Sequence, residues 1–525
     1  MSTELSERNT QHASRVTHHA SRATYFIWTI GCQMNRADSR RAAAALEALG
    51  YAPAVRAEEA DLVVLNSCVV RQSAEDKAIG RLSSLRSLKQ RRPGAAVVLM
   101  GCLVGDIAAL QARFPHVDLF VRPSDVEGLV GWVEAHMQAR CEAAQRRRGR
   151  GGEISSPQEG GKTPPSRGGK TPPLLCALCA SAVNPVSAEV AAILGCDRHC
   201  TYCLVRLRRG PCRSRTVEEI VAEVEALVRS GVREITLLGQ SIDAYGRDLQ
   251  WDGLSSPSTS DQPAHPWDGL SSPSTSGQPA HPWDGLSSPS ARLRDTGTGS
   301  KARPTLAGLL RLVHDIPGLA RLRFLTSHPA DLEDEVIDAV AELPRLCPHW
   351  ELPVQAGDDE VLRRMARGYT VAEYLALVAR IRARLPQASI ATDVIVGFPG
   401  ETAEQFERTM DLLRAVRFDA VHVASYSVRP GTPAARLADD VQPEEKERRR
   451  RAVEALQEEI VGQINARLLG QEVEVLVEEL HKGKWKGRTA SNKLVFFEDG
   501  QDWLGRLARV LITKTGPWSL QGRVQ

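Results

Sequence analysis

Between residues 24 and 140, the short apolar runs "TYFIWTI", "DLVVLN", "AAVVLM" and "VDLFV" alternate with stretches whose apolar positions recur at helical spacing, over 36–49, over 71–90 and after the last run. Apolar runs bounded by turn residues read as strands covered on both faces, and the longer stretches read as amphipathic helices. Strand and helix in strict succession is βαβ organisation, which requires a parallel sheet. The pattern stops at 141–180, where "RRRGRGG" and the duplicated "GGKTPP" (160–165 and 168–173) are too rich in Gly and Pro to pack. This stretch is expected to be a flexible linker.

The alternation resumes over 181–460, with strands at "VAAIL", "VREITLL", "LRFLTS", "HWELPV", "SIATDVIV" and "FDAVHVASY". Thr216 with Glu219, and Thr402 with Gln405, have the spacing of capping boxes and open two of the intervening helices. These strands suit a partial (β/α)6 barrel, whose chemistry falls at the carboxyl ends of the strands. An insertion at about 249–303 carries "WDGLSSPSTSDQPAHP", repeated with a period of 16 and then truncated. Two and a half copies dominated by Ser, Pro and Gly are expected to be disordered rather than a solenoid. Over 461–525, "EVEVLVEEL", "GRTASNKLVFF" and "RLARVLITKTG" predict a small antiparallel barrel. The fold class is therefore α/β throughout, with an added β-barrel, and the polar residues 1–23 form a disordered start.

A chain of 525 residues exceeds a single hydrophobic core and should divide into about three domains. Lys+Arg 67 against Asp+Glu 64 leaves a net charge of only +3, so any nucleic-acid affinity must come from local patches. The first residues lack the apolar core of a secretory signal and no apolar run is long enough to span a bilayer, so a cytoplasmic protein without membrane association is expected. Eleven cysteines in a reducing compartment then argue for metal or redox chemistry rather than disulfides.

Two cysteine sets stand out. Cys196, Cys200 and Cys203 in "GCDRHCTYC" follow the first barrel strand in one loop, three thiolates where a saturated site wants four. Such a loop either wraps an iron–sulfur cluster with a vacant iron or forms a zinc knuckle completed by His199 or a distant residue. Cys32, Cys68 and Cys102 are far apart in sequence, yet each falls just past a predicted strand, and the carboxyl ends of parallel strands converge on one crevice. The alternative is that these are ordinary core cysteines at strand ends.

"GCDRHCTYC" resembles the cluster motif of the radical S-adenosylmethionine superfamily. That resemblance implies a four-iron cluster on Cys196, Cys200 and Cys203. Its open iron would bind S-adenosylmethionine, which is cleaved to a 5′-deoxyadenosyl radical. With the dispersed triplet, and with "LLGQSIDAYG", "LTSHPADL", "LPVQAGDDEVLRRMARGYT", "TDVIVGFPGET" and "YSVRPGTPAA", the chain resembles the methylthiotransferases over nearly all of its ordered length. The resemblance implies a second four-iron cluster on Cys32, Cys68 and Cys102, and a C-terminal TRAM domain that binds RNA. "GQSIDAYG" and "GRTASNKLVFF" are closest to the MiaB-type branch, which methylthiolates isopentenyl-adenosine beside the anticodon. It further implies a tRNA anticodon stem-loop as partner, an external electron donor and sulfur source, and a monomer. S-adenosylmethionine contacts are expected from Gly239, Gln240 and Asp393, with Glu401 flanking the same "VIVGFPG" segment. Gln355-Ala356-Gly357-Asp358 departs from the family's usual Gln-Ser-Gly-Ser, as does "CLVRLRRG" after the cluster motif. The alternatives are a methylthiotransferase for threonylcarbamoyl-adenosine or for a ribosomal-protein aspartate, a non-catalytic RNA-binding metalloprotein, and an electron carrier.

Arg206, Arg208, Arg209, Arg213 and Arg215 lie without an acid between them and read as phosphate contacts. A second basic stretch, Lys482, Lys484, Lys486, Arg488 and Lys493 around Trp485, reads as cations tracking phosphates beside a stacking aromatic. "RRRR" at 448–451 lies in a Glu-rich helix and reads as a solvated face with local ion pairs. Cys176 and Cys179 read as accidental thiols, with an extra metal or redox pair as the alternative, and Cys141, Cys212 and Cys347 have no evident partner.

Overall fold

The structure, a computed structural model, describes residues 23–69, 72–149, 186–249 and 303–525. The expectations for the N-terminal segment, the "GGKTPP" stretch, the 16-residue repeats, and Cys176 and Cys179 lie outside the described residues. Two compact units emerge, one from the chain up to Pro185 together with Leu207–Arg209, the other from Val186–Arg206 and Gly210–Gln525.

The first unit runs β1 (Thr24–Ile30), α1 (Gln33–Ala48), β2 (Ala52–Pro53), β3 (Leu62–Ser67), α2 (Gln72–Arg91), β4 (Ala96–Gly101), α3 (Ile107–Arg113), β5 (Leu119–Val121) and α4 (Val126–Gly149). The sheet is parallel, in the order β2-β1-β3-β4-β5. Every residue of β3 and β4 is buried, which is why both are apolar without alternation until Asn66 and Ser67 close β3. Leu46, Val64, Val98 and Leu129 pack in the core, each contributing about 1.5–3 kcal/mol by burial. The two-residue strand β2 gave no sequence signal, and α4 runs on through residue 149 into the stretch read as linker. Ile30 pairs with Ser67 and Ser67 with Gly101, so β1, β3 and β4 end level with one another.

The second unit opens with β6 (Ser187–Ala191) and β7 (Ile193–Leu194), the single strand expected at "VAAIL" being broken at Ala192. There follow α5 (Val205–Arg209), β8 (Arg213–Ser214), α6 (Val217–Arg229), β9 (Glu234–Leu238), α7 (Leu306–His314), β10 (Arg321–Leu325), α8 (Asp334–Glu342) and β11 (His349–Glu351). Next come α9 (Asp359–Arg364), α10 (Val371–Arg384), β12 (Ser389–Val396), α11 (Ala403–Val416), β13 (Ala420–Ser425) and α12 (Pro443–Ala466). The parallel sheets β10-β9-β6 and β11-β12-β13 are linked by a bridge between Leu322 and Leu346, giving the expected six-stranded partial barrel. Thr402 and Gln405 form a full capping box, whereas at Thr216 only half of one forms, because the Glu219 carboxylate pairs with Arg215 at 3.5 Å.

Strands β14 (Glu472–His481), β15 (Lys484–Thr489), β16 (Leu494–Phe497), β17 (Leu507–Thr515) and β18 (Leu520–Val524) close a barrel in the order β14-β15-β16-β18-β17. Two arginines of β10 hold it: Arg321 donates to the carbonyls of Arg488 (2.5 Å) and Glu474 (3.1 Å), and Arg323 to those of Ala490 (2.9 Å) and Thr489 (2.8 Å). Arg321 opens β10 and Arg323 is its middle residue. The small barrel therefore docks at the end of the parallel strands opposite the one that Cys196, Cys200 and Cys203 follow.

Candidate cluster sites

In the first unit Cys32 stands two residues past β1, Cys68 one past β3 and Cys102 one past β4, on three adjacent strands. Two glycines make the approach possible. Gly31 has φ +151, and a Cβ there would lie 2.4 Å from Cys68 Cβ; Gly101 has φ +104, and its Cβ would lie 2.4 Å from the Ser67 carbonyl oxygen. Beneath them Asn35 Nδ2 donates to Asn66 Oδ1 (2.8 Å) and the Ser67 carbonyl (2.9 Å), while Asn66 Nδ2 donates to the Asn35 carbonyl (2.8 Å) and Ser39 Oγ (3.0 Å). This buried amide pair fixes the start of α1 against the end of β3, and the sequence reading missed it although Asn66 closes the quoted run "DLVVLN" and Asn35 stands three residues after Cys32.

Cys32 is the residue before α1, so its sulfur faces a helix N-terminus. A hydrogen bond with Cys68, helped by the Asn35 and Met34 backbone N–H groups and by Arg209, brings it down to about 6 despite burial. Burial pushes Cys102 up, against the pull of Arg209. Arg209 is itself buried: its side chain is 2% exposed, and Nη1 donates to Asp38 Oδ2 (3.0 Å) and Ser124 Oγ (2.8 Å).

In the second unit the cysteine loop leaves β7 at Gly195, whose φ is +71 and whose Cβ would lie 2.0 Å from the Pro211 carbonyl oxygen. The Cys196 N–H donates to the Gly210 carbonyl (3.1 Å) and the Cys203 N–H to that of Cys200 (3.0 Å), folding the loop on itself. Burial and the neighbouring Cys200 push Cys203 up to about 12, and burial with Cys200 and Asp197 raises Cys196. The Cys196 and Cys203 thiols therefore favour the neutral form in the absence of a cation.

Two further groups hold this loop. Arg367 is buried, and its Nη1 lies 3.4 Å from Cys200 Sγ while Nη2 donates to the Pro353 carbonyl (2.9 Å) and Nε to Tyr369 Oη (3.0 Å). Asp331 accepts from Arg198 Nε (3.0 Å), Arg247 Nη1 (2.5 Å) and Ser241 Oγ (3.2 Å), tying the loop to the turn after β9. Both residues lie in the quoted blocks "MARGYT" and "LTSHPADL", but nothing local marks their partners.

Of the expected cofactor contacts, Gly239 ends β9, where a Cβ would lie 2.5 Å from Ile193 Cγ2, so its small size serves strand packing. Gln240 follows it, half-buried. Asp393 lies on β12 beside Glu351 of β11, and burial together with Asp393 pushes Glu351 up to about 7. Glu401 is taken up structurally: it accepts from the Gly397 N–H (2.6 Å) and from Arg449 Nη1 (2.8 Å), and both partners of the pair are buried. Arg449 thereby departs from the solvated reading of "RRRR", while Arg448, Arg450 and Arg451 keep to it with local glutamate pairs.

Both basic patches are corrected. Arg209 is buried, and Arg215 is bound to Glu223 (2.6 Å) and Glu219, so neither reaches a phosphate; Arg206 and Arg213 remain exposed. In the small barrel Trp485 is a core residue whose Nε1 donates to the Asp499 carbonyl (3.2 Å), so it cannot stack on a base. Four of its five basic neighbours are paired, Lys484 with Glu498, Lys486 with Glu479, Arg488 with Glu478 and Lys493 with Asp419, while Lys482 stays exposed. The exposed aromatic of this barrel is Trp518, between β17 and β18.

Three family models match: "Uncharacterized protein family UPF0004" over residues 24–122, "Radical SAM superfamily" over 191–413 and "TRAM domain" over 466–525. Proteins named tRNA-2-methylthio-N(6)-dimethylallyladenosine synthase match nearly end to end. The one from Roseiflexus sp. (strain RS-1) is 46% identical over 95% of this chain and 89% of its own. Those from Chloroflexus aurantiacus and Herpetosiphon aurantiacus are 43% and 41% identical over 95% of this chain and 91% and 97% of their own. The chain belongs to the radical SAM superfamily and, within it, to the family of these methylthiotransferases.

Proposed function

We infer that this protein replaces the C2 hydrogen of N6-isopentenylated adenosine, beside the anticodon of tRNA, by a methylthio group, the activity its relatives are named for. The carrying observation is the pair of three-cysteine sets, one gathered by adjacent strand ends and one by a single loop. Both suit iron–sulfur clusters. Each set gathers three soft thiols, the ligand class that suits iron–sulfur centres. The buried Arg209 Nη2 has no hydrogen-bond partner beside the first set, a donor suited to an anionic cluster.

Cys32, Cys68 and Cys102 would hold one four-iron cluster, and Cys196, Cys200 and Cys203 the other. When bound, the second cluster with S-adenosylmethionine supplies the radical chemistry that an unactivated aromatic C–H bond demands. The protein's residues supply position and exclusion of water. Arg367 and Asp331 fix the loop of the second set; Gly239 and Gln240 follow the end of β9 and Asp393 lies within β12, the positions from which S-adenosylmethionine would be contacted. Arg206, Arg213 and Lys482 are exposed cations available to meet the tRNA backbone. No described helix is long and apolar enough to cross a membrane. A cytoplasmic monomer drawing electrons and sulfur from external donors completes the reading.

The test is anaerobic reconstitution of the intact chain, of Cys32→Ala/Cys68→Ala/Cys102→Ala and of Cys196→Ala/Cys200→Ala/Cys203→Ala. About eight irons per intact chain and about four in each triple variant are expected, with 5′-deoxyadenosine lost only in the last. Nucleoside analysis of tRNA from a deletion strain should then show the isopentenylated adenosine without its methylthio group. Zinc in place of iron, or an unchanged nucleoside profile, overturns the reading.

A further inference from the structure

Asp38, Ser124 and Arg209 lie far apart in sequence yet meet in the first unit beside Cys32 and Cys102. Ser124 Oγ donates to Asp38 Oδ1 (2.9 Å), Arg209 Nη1 bonds both residues, and Asp38 is completely buried. The clamp thus uses one edge of the guanidinium. Nη2 is buried with no hydrogen-bond partner, and so large a buried donor is rarely left idle. Ser124 pays part of the cost of the clamp, for it is a non-glycine residue held at φ +65. Exposed arginines abound in this chain, so seating one here serves no need of solubility.

We propose that Arg209 is a positioning residue for the first cluster: clamped by Asp38 and Ser124, it directs its free N–H to the sulfur atoms held by Cys32, Cys68 and Cys102. This rests on the cluster reading of those cysteines. A fixed cation at that place stabilises the reduced cluster, which carries one more negative charge, over the oxidised one. Its reduction potential is therefore higher than without the arginine.

The experiment uses the full chain carrying Cys196→Ala/Cys200→Ala/Cys203→Ala, so that only the first cluster is reconstituted, and adds Arg209→Met or Arg209→Lys. Iron per chain is counted and the midpoint potential is measured by a titration followed by electron paramagnetic resonance. The expected result is a more negative potential in Arg209→Met and a smaller negative shift in Arg209→Lys, which keeps the charge but not the planar donor edge. Should Arg209→Met fail to assemble, the Arg209→Lys shift decides. Unchanged potentials at full iron content overturn the proposal, whereas absence of iron from the parent background overturns the cluster reading itself.

Discussion

Asp358, which departs from the family's usual serine, is predicted to hold the segment that contacts the cysteine loop. Its Oδ1 accepts from the Val361 N–H (3.0 Å), capping α9, and from Gln405 Nε2 (2.9 Å), while Oδ2 accepts from Arg408 Nε (2.7 Å). In Asp358→Ala the lost cap costs about 1 kcal/mol. The Arg408 pair, half-exposed on the arginine side, adds about 0.5 kcal/mol. The buried Gln405 amide left without an acceptor adds about 1–2 kcal/mol. The total of about 3 kcal/mol corresponds to roughly a hundredfold change in a local opening equilibrium. Because α9 leads directly to Arg367, hydrogen exchange of peptides covering 359–369 should accelerate by about that factor, with peptides of the first unit unchanged. Asp358→Ser, which can still cap, should fall between. Acceleration below about threefold in Asp358→Ala would refute the hub and leave the aspartate a surface variation.

Trp485→Ala should destabilise the small barrel by about 3–5 kcal/mol in denaturant titrations, while Trp518→Ala should leave its midpoint in place. Glu401→Gln removes one of two carboxylates on the buried Arg449, which keeps Glu445 (2.7 Å), and should cost about 1–3 kcal/mol, against little change for Arg451→Ala, both read by thermal unfolding. Burial pushes Asp243 up to about 7, against the His328 N–H and Ser327 hydroxyl that bond it and with a further push from Asp331. Its folded-state value lies above its unfolded one, so its contribution is complete below about pH 4 and is lost as pH rises through about 7. Asp243→Asn should therefore gain stability relative to the parent between pH 5 and pH 8; a constant difference in melting temperature would refute this.

How much of this was legible depended on the range of the interaction. The runs "TYFIWTI" and "SIATDVIV" became β1 and β12 residue for residue, since runs rich in β-branched and aromatic residues leave a strand little competition, although only Tyr25 of β1 is buried. The two cysteine sets were legible because one is local and the other is placed by strand ends. The basic stretch around Trp485 misled because composition was read without the period of two. In β15 buried and half-buried residues alternate, so Trp485 turns into the barrel while Lys484, Lys486 and Arg488 turn outward to glutamates of β14 and the loop after β16. Asp331, Arg367 and Arg209 were illegible for a different reason. Apart from the Arg367–Tyr369 bond, the bonds named for them span between 14 and 171 residues, and no local pattern encodes a partner at such distance.

The two cysteine sets also differ in what holds them, and this decides how each should fail. Cys196, Cys200 and Cys203 share one loop pinned by side chains, so losing Asp331 or Arg367 should disorder all three together while leaving the strands intact. Cys32, Cys68 and Cys102 sit on the level ends of three hydrogen-bonded strands, and their separation is fixed by sheet spacing and by Gly31 and Gly101. No single side chain sets that geometry. A substitution at either glycine must move a strand end against a fully buried sheet, and so acts on the site and on the fold of the first unit at once. Side chains around the second site can therefore vary without unfolding its barrel, whereas the first site has the geometry of its sheet and keeps it only as long as the sheet does.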